Sequence, residues 1–248
     1  MWEAHCKYIA HMAKQAVASK PTPFHKMLLV LKHCDRLQRV YSQNIDGLEE
    51  KAGLECDSEN RICILLHGSL FKLRCDACST TYMLEHYFPI LQAGQFPLCT
   101  SCPEQRSTAG MVLRKRATGR LRPAITLFNG ISPEGVEIAS LWERDTVDIP
   151  GQHVVIVAGT SLRIIGIQQL LKSLTRRHNP NFQIIYVDTG SLPPFLNLLK
   201  PVPLHIQSDC QLFAQSVIQR IEAGSSMNSK AEEYGAARKD FRPIWDWS

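Results

Sequence analysis

No apolar run in the 248 residues is long enough to cross a bilayer, which argues against a helical membrane span and against a membrane partner. The first fifteen residues, MWEAHCKYIAHMAKQ, lack the unbroken apolar core of a secretion signal, so the expectation is a soluble, intracellular protein. No segment repeats, which sets aside solenoids and propellers. Neither sign of charge dominates: 28 basic residues against 23 acidic ones leave a formal net charge of +5. That balance suits acidic partners or chromatin without singling them out. With 44% hydrophobic residues the chain is not disordered throughout, and it has room for one large domain or a large domain with a small insert.

Cysteine is plentiful, at nine residues. An odd count with two CxxC pairs is unlike a disulfide framework. CDAC (Cys75, Cys78), twenty residues, then CTSC (Cys99, Cys102) is the spacing with which two tight knuckles place four thiolates around one tetrahedral Zn²⁺. Four thiolates fill the coordination shell, so such a metal is structural rather than catalytic. The other five, Cys6, Cys34, Cys56, Cys63 and Cys210, are scattered as buried thiols of a reducing compartment would be. Downstream, Arg114, Lys115, Arg116, Arg120 and Arg122 form a run without an acid. It reads either as contact with a nucleosome or other acidic partner or as a solvated loop.

Hydrophobic periodicity outlines the rest. Residues 21–34 predict a helix with Phe24, Met27, Leu28 and Leu31 on one face. Apolar runs at 37–41, 62–66, 125–128, 183–187 and 203–207 predict strands, and helices are expected over 133–144 and 209–222. Residues 153–177 read as a strand, a Gly-Thr-Ser turn and a helix with Leu162, Ile165, Leu170 and Leu174 along one side. Strands alternating with helices predict an α/β, doubly wound parallel sheet. The expected divisions are a large domain over 21–74 and 120–222, a zinc module over 75–119, and a flexible tail over 223–248 that includes Trp245 and Trp247. QNID (43–46) and His67 each follow a predicted strand, at the end where such sheets bind ligands. Alone, Asn44 and Asp46 equally suit capping of the next helix, and a lone His is more often structural than catalytic.

Taken in order, YSQNIDGLEEKAGL, LLHG, CDAC and CTSC, LRPAITLF and VVIVAGTSL resemble the signature of the sirtuin family over about residues 21–215, and within it the chromatin-directed fungal branch. The resemblance implies a Rossmann-like large domain with an inserted zinc ribbon. It also implies an NAD-dependent protein or histone lysine deacetylase, which transfers the acetyl group to ADP-ribose with release of nicotinamide. Its partner would be an acetylated lysine, its setting chromatin and the nucleus. Gln43 and Asn44 would contact the nicotinamide ribose, and Ile45 and Asp46 would hold the carboxamide. His67 would be the general base. Gly159, Thr160 and Ser161 would meet ribose and phosphates, Asp188 the adenosine ribose, and Cys210 the adenine.

The sequence departs from the family in several places. ITLFNG, with Thr126, Asn129 and Gly130, stands where a Val-x-Phe-Gly-Glu-like run pairs with substrate, and Asp188 replaces the commoner Asn. The family's opening strand and Gly-Ala-Gly loop do not occur before Lys20. Without that central strand, two strand edges are expected to be unpaired and the pyrophosphate cradle to be lacking. The alternatives to an enzyme are a shortened, inactive, zinc-stabilised interaction module, and a zinc-ribbon nucleic-acid binder that would leave QNID, His67 and the GTS turn unexplained.

Overall fold

The computed structural model describes residues 2–57, 61–102, 118–126, 130, 134–147, 150–176 and 182–225. They form two compact units. One holds the described residues up to Lys20 and from Val40 to Gly130; the other holds Pro21 to Arg39 and the described residues from Glu134 onward. No helix among the described residues is long and apolar enough to cross a membrane.

The first unit opens with helix α1 (Trp2–Ala18), which the sequence reading did not assign. It buries Cys6, Ile9, Ala10, Ala13 and Ala16, a spacing that puts all five on one helical face. That face packs into a core with Leu70, Leu73, Leu84, Leu91 and Leu121. Strand β1 (Val40–Ser42) runs parallel to β2 (Cys63–Leu65), with Val40 opposite Cys63, and the short helix α3 (Leu48–Lys51) lies between them in sequence. Strand β3 (Gly68–Cys75) pairs antiparallel with β4 (Thr81–Met83) on one side and β5 (Leu121–Ile125) on the other. After β4 the chain makes a 3₁₀ turn (Leu84–Tyr87) into α4 (Phe88–Gln92).

The second unit holds α2 (Pro23–His33), α5 (Gly135–Thr146), β6 (His153–Ala158), α6 (Ile165–Arg176), β7 (Phe182–Asp188), β8 (Leu204–Gln207) and α7 (Cys210–Ser225). Pro23 at the first turn suits helix α2, because its missing N–H is one that no helical carbonyl would have received. Helix α2 packs against α7, and the Phe24 N–H donates to Gln211 Oε1 at 3.0 Å. The three strands are parallel, in the order β6-β7-β8, with α6 joining the first two, as the alternating pattern predicts. Their core contains Val157, Leu162, Leu171, Leu174, Ile184 and Tyr186.

Several boundaries differ from expectation. The strand expected over 37–41 starts at Val40, because Arg39 and Gln38 are held elsewhere. The Arg39 guanidinium makes two hydrogen bonds to Asp145, of 2.7 and 3.0 Å, and Gln38 Nε2 donates to the Asp145 carbonyl. The strand expected over 125–128 is instead Leu121–Ile125, aligned by its pairing with β3; residues 127–129 lie outside the described set. On α6 the inward residues are Leu171 and Leu174, while Ile165 is 69% exposed. Of the five other cysteines, Cys34 is exposed and Cys210 half-buried; only Cys6, Cys56 and Cys63 are buried. Arg114, Lys115 and Arg116 lie outside the described residues, as do residues 226–248. Parallel strands fall into two groups, β1–β2 and β6–β7–β8, and among the described residues neither β1 nor β6 has a second neighbour.

Candidate active site and metal centre

In the first unit, the QNID loop leaves the end of β1 and is fastened at three points. Ser42 Oγ accepts from the Asn44 N–H at 3.1 Å, the Ile45 carbonyl accepts from the Leu70 N–H at 2.9 Å, and Asp46 Oδ1 accepts from the Leu48 N–H at 3.2 Å. Asp46 thus makes a local turn bond ahead of α3, whose N-cap is Gly47 and has no side-chain cap. Gly47 has φ +68°, and a Cβ there would lie 2.8 Å from the Phe71 ring, so only glycine lets the loop turn over that ring. Asn44 is exposed, and Gln43, Ile45 and Asp46 are half-buried.

His67 follows β2 directly, and its carbonyl accepts from the Thr126 N–H at 2.9 Å, so β5 fixes its backbone. Its ring nitrogen Nε2 is buried with no hydrogen-bond partner among the described residues. Burial lowers the imidazole pKa from its ordinary value, with a backbone hydrogen bond at Leu66 opposing the shift. The shift favours the neutral ring, and no described residue takes up its Nε2.

In the second unit, Gly159, Thr160, Ser161, Tyr186, Asp188 and Phe195 line a cavity of about 600 Å³, within the range of small-molecule sites. Gly159 has φ +65° and no atom within 4 Å of where a Cβ would sit, which leaves its backbone open to a ligand. The turn continues through Leu162 at φ +53°, held by the Leu162 N–H donating to Thr160 Oγ1 and Gln168 Nε2 donating to the Leu162 carbonyl. Tyr186, which the sequence reading did not single out, is buried under this turn and donates its hydroxyl to the Thr160 carbonyl at 3.1 Å. Asp188 closes β7, with Oδ1 accepting from the Gly190 N–H. Cys210 is not among the lining residues; its thiol points to the Val187 carbonyl at 3.6 Å.

The four cysteines of the two CxxC pairs converge, with their sulfurs all within 4.8 Å of one another. Cys75 and Cys102 are 3.6 Å apart and Cys78 and Cys99 3.5 Å, close to the edge of about 3.8 Å for a tetrahedron of sulfurs around zinc. The donor set therefore fits that ion. Cys78 is pushed down to about 6 by hydrogen bonding to the Thr80 side chain and backbone, whereas burial pushes Cys75 up. The Tyr82 hydroxyl, also unanticipated, lies 3.1 Å from Cys99 Sγ, donates to Ser101 Oγ and accepts from the Ser101 N–H. The Arg-rich segment is not free of acids in space: Asp76 accepts from the Arg120 N–H and from Arg122 Nε.

A Sir2-family model matches residues 1–166, two thirds of the chain. The protein belongs to the Sir2 family. This sirtuin is 30% identical over 229 residues to the NAD-dependent histone deacetylase HST3 of Candida albicans, covering 85% of this chain and 46% of that protein. It is 30% identical over 212 residues to the NAD-dependent histone deacetylase HST4 of Saccharomyces cerevisiae, covering 77% and 55%. It thus resembles the fungal branch, and it spans about half the length of these curated relatives. A solved Sir2 complex with p53 peptide and NAD⁺ superposes with a TM-score of 0.61 at 24% identity, covering 84% of this sirtuin and 73% of that chain. That likeness establishes the Rossmann-like α/β fold.

Proposed function

We propose that this sirtuin is an NAD-dependent protein lysine deacetylase that acts on acetylated histone or a similar acetylated protein, in a nuclear, chromatin-associated setting. The observation that carries the reading is His67: a half-buried imidazole whose pKa is lowered by burial, at a strand end, with a buried ring nitrogen that has no hydrogen-bond partner among the described residues. An orphaned buried nitrogen is costly unless a reacting group meets it. The histone-deacetylase names of the fungal relatives support the substrate class. They give no support to a shortened, inactive module.

NAD, when bound, supplies the ribose that accepts the acetyl group as nicotinamide departs. Within the chain, Gln43 and Asn44 would meet the nicotinamide ribose, and Ile45 and Asp46 would orient the carboxamide. His67 takes a hydroxyl proton onto Nε2, the ring nitrogen without a described partner, and the lowered pKa favours the neutral ring that can act as a base. Gly159, Thr160 and Ser161 offer an open backbone and hydroxyls to the phosphates and ribose, and Asp188 is an acceptor for the adenosine ribose diol. Cys210, whose thiol meets the Val187 carbonyl at the end of β7, would lie toward the adenine. Cys75, Cys78, Cys99 and Cys102 hold one structural zinc, with no coordination position left for water.

The test is His67→Ala and His67→Tyr in zinc-loaded protein, with nicotinamide release from NAD and an acetylated histone peptide as readout. Both variants should keep zinc and fold and lose turnover by at least about 100-fold. Near-normal turnover in a folded His67→Ala protein would dismiss the base role.

A further inference from the structure

The QNID loop is fastened at one point by a buried acid that nothing above has used. Ser42, the last residue of β1, is 7% exposed and donates its hydroxyl hydrogen to Glu49 Oε1. The same hydroxyl oxygen accepts from the Asn44 N–H at 3.1 Å. A serine hydroxyl has one proton and two lone pairs. With the one proton directed at Glu49, the lone pairs are turned toward Asn44, and the direction of the loop's first peptide is set by a carboxyl group on the following helix.

We propose that Glu49 is a positioning residue for nicotinamide recognition, acting through Ser42; the inference rests on the reading that Gln43 to Asp46 hold the nicotinamide end of NAD. Glu49 sits on α3 and is 4% exposed. Its second oxygen, Oε2, is buried with no hydrogen-bond partner among the described residues. A half-satisfied buried carboxyl is a poor device for stability alone, since an apolar side chain of similar size would fill the space without it. It is a good device for fixing a hydroxyl. Of the other two ties, that of Ile45 to Leu70 is main-chain and that of Asp46 to Leu48 is a local bond from a side chain within the loop itself. The Glu49–Ser42 tie is the one that depends on a particular buried pair, and it leaves the side chains of Gln43 and Asn44 uncommitted to it.

Calorimetric titration of NAD and of ADP-ribose, which lacks the nicotinamide ring, into zinc-loaded protein tests this. Glu49→Leu and Ser42→Ala should each weaken NAD on the order of tenfold while ADP-ribose binding stays unchanged. The double variant should be no worse than the poorer single one, because the two residues act as one unit. Glu49→Gln, whose amide oxygen can still accept from Ser42, should restore the preference. Equal weakening of both ligands together with a fall in Tm means that Glu49 only holds α3 in place, and overturns the proposal; so does unchanged NAD binding. Should Glu49→Leu fail to fold, Ser42→Ala removes a single hydroxyl from the same pair and decides alone. Asp46→Asn is titrated alongside. If it too leaves the NAD to ADP-ribose ratio unchanged, the reading of the loop falls; if it alters the ratio and Ser42→Ala does not, only the role of Glu49 falls.

Discussion

Replacing Gly119 by alanine should release the metal from the cysteine cluster. Gly119 sits where the chain returns to β5, and its carbonyl accepts from the Cys99 N–H at 2.8 Å, so it already grips the second knuckle. A Cβ at this position would lie 2.2 Å from Cys75 Sγ, 2.8 Å from the Ala77 Cβ and 3.1 Å from the Ala77 backbone nitrogen. Gly119 is not among the glycines with positive φ, so the penalty is steric rather than conformational. Ordinary contact between such atoms begins near about 3.4 Å, so the first knuckle must move by roughly 1 Å. Rotation of a side chain cannot absorb this, because one of the contacts is backbone and Cys75 is 2% exposed. Zinc–sulfur bonds tolerate about 0.2 Å, several times less than the required shift.

Gly119→Ala should therefore weaken zinc binding by on the order of 100-fold and cost about 1–3 kcal/mol from overpacking. Competition against a chromophoric chelator reads the first effect, and urea unfolding of the zinc-loaded protein reads the second. Gly166→Ala is the internal control: it adds the same methyl within α6, meets nothing within 4 Å, and should leave zinc untouched while stabilising by about 0.5–1 kcal/mol. If Gly119→Ala competes for zinc as the parent does, the knuckles are not held by this contact.

Three further outcomes are expected. Because burial lowers the native pKa of His67 from 6.5, the unfolded chain takes up its proton first as pH falls; this histidine's contribution to stability is thus full above about 6.5 and lost below it, and the acid limb of kcat/KM should have its midpoint below that value, as a pH series would show. Leu171→Ala should cost about 2–5 kcal/mol in denaturant unfolding, while Ile165→Ala, at the first residue of α6 and exposed, should stay within about 0.5 kcal/mol. Asp145→Ala removes two charge-assisted bonds to Arg39 and should cost about 2–3 kcal/mol by the same measurement; an unchanged midpoint would mean that the pair does not anchor the chain ahead of β1.

The parts of the fold that were legible in the sequence are those whose signal is local. HVVIVA and QIIYV are short, unbroken apolar runs rich in β-branched residues, and they became β6 and β7, which pair in parallel. Helix α1 was missed because its buried face is made largely of alanines and a cysteine, which give a weak periodic signal amid His, Lys and Glu. Strand β3 was missed because GSLFKLRC is defined by its partners on both sides, the nearer of which begins only after the CDAC turn. The start of β1 was misplaced because an ion pair between residues 106 positions apart withdraws Arg39 from the strand, and no pattern within 37–41 records it.

The candidate site divides along the same line. Two CxxC pairs specify their own geometry, because each knuckle is a four-residue turn and only the distance between turns is left to the fold. The position of His67 at a strand end was equally local, but the property that makes it suitable as a base was not. Its backbone is fixed by Thr126, more than fifty residues later, and its buried Nε2 has no hydrogen-bond partner among the described residues, neither of which the local sequence records. Tyr186 beneath the Thr160 carbonyl and Glu49 behind Ser42 belong to the same class. In the sequence Tyr186 reads as one more residue of an apolar strand, and Glu49 as one of two acids at the start of an ordinary surface helix, where acids are favoured by the helix dipole. Nothing distinguishes Glu49 from Glu50 in that reading. The fold separates them, turning Glu49 inward against Ser42, and residues that hold a site from behind in this way become visible only when the strand and the helix are seen together.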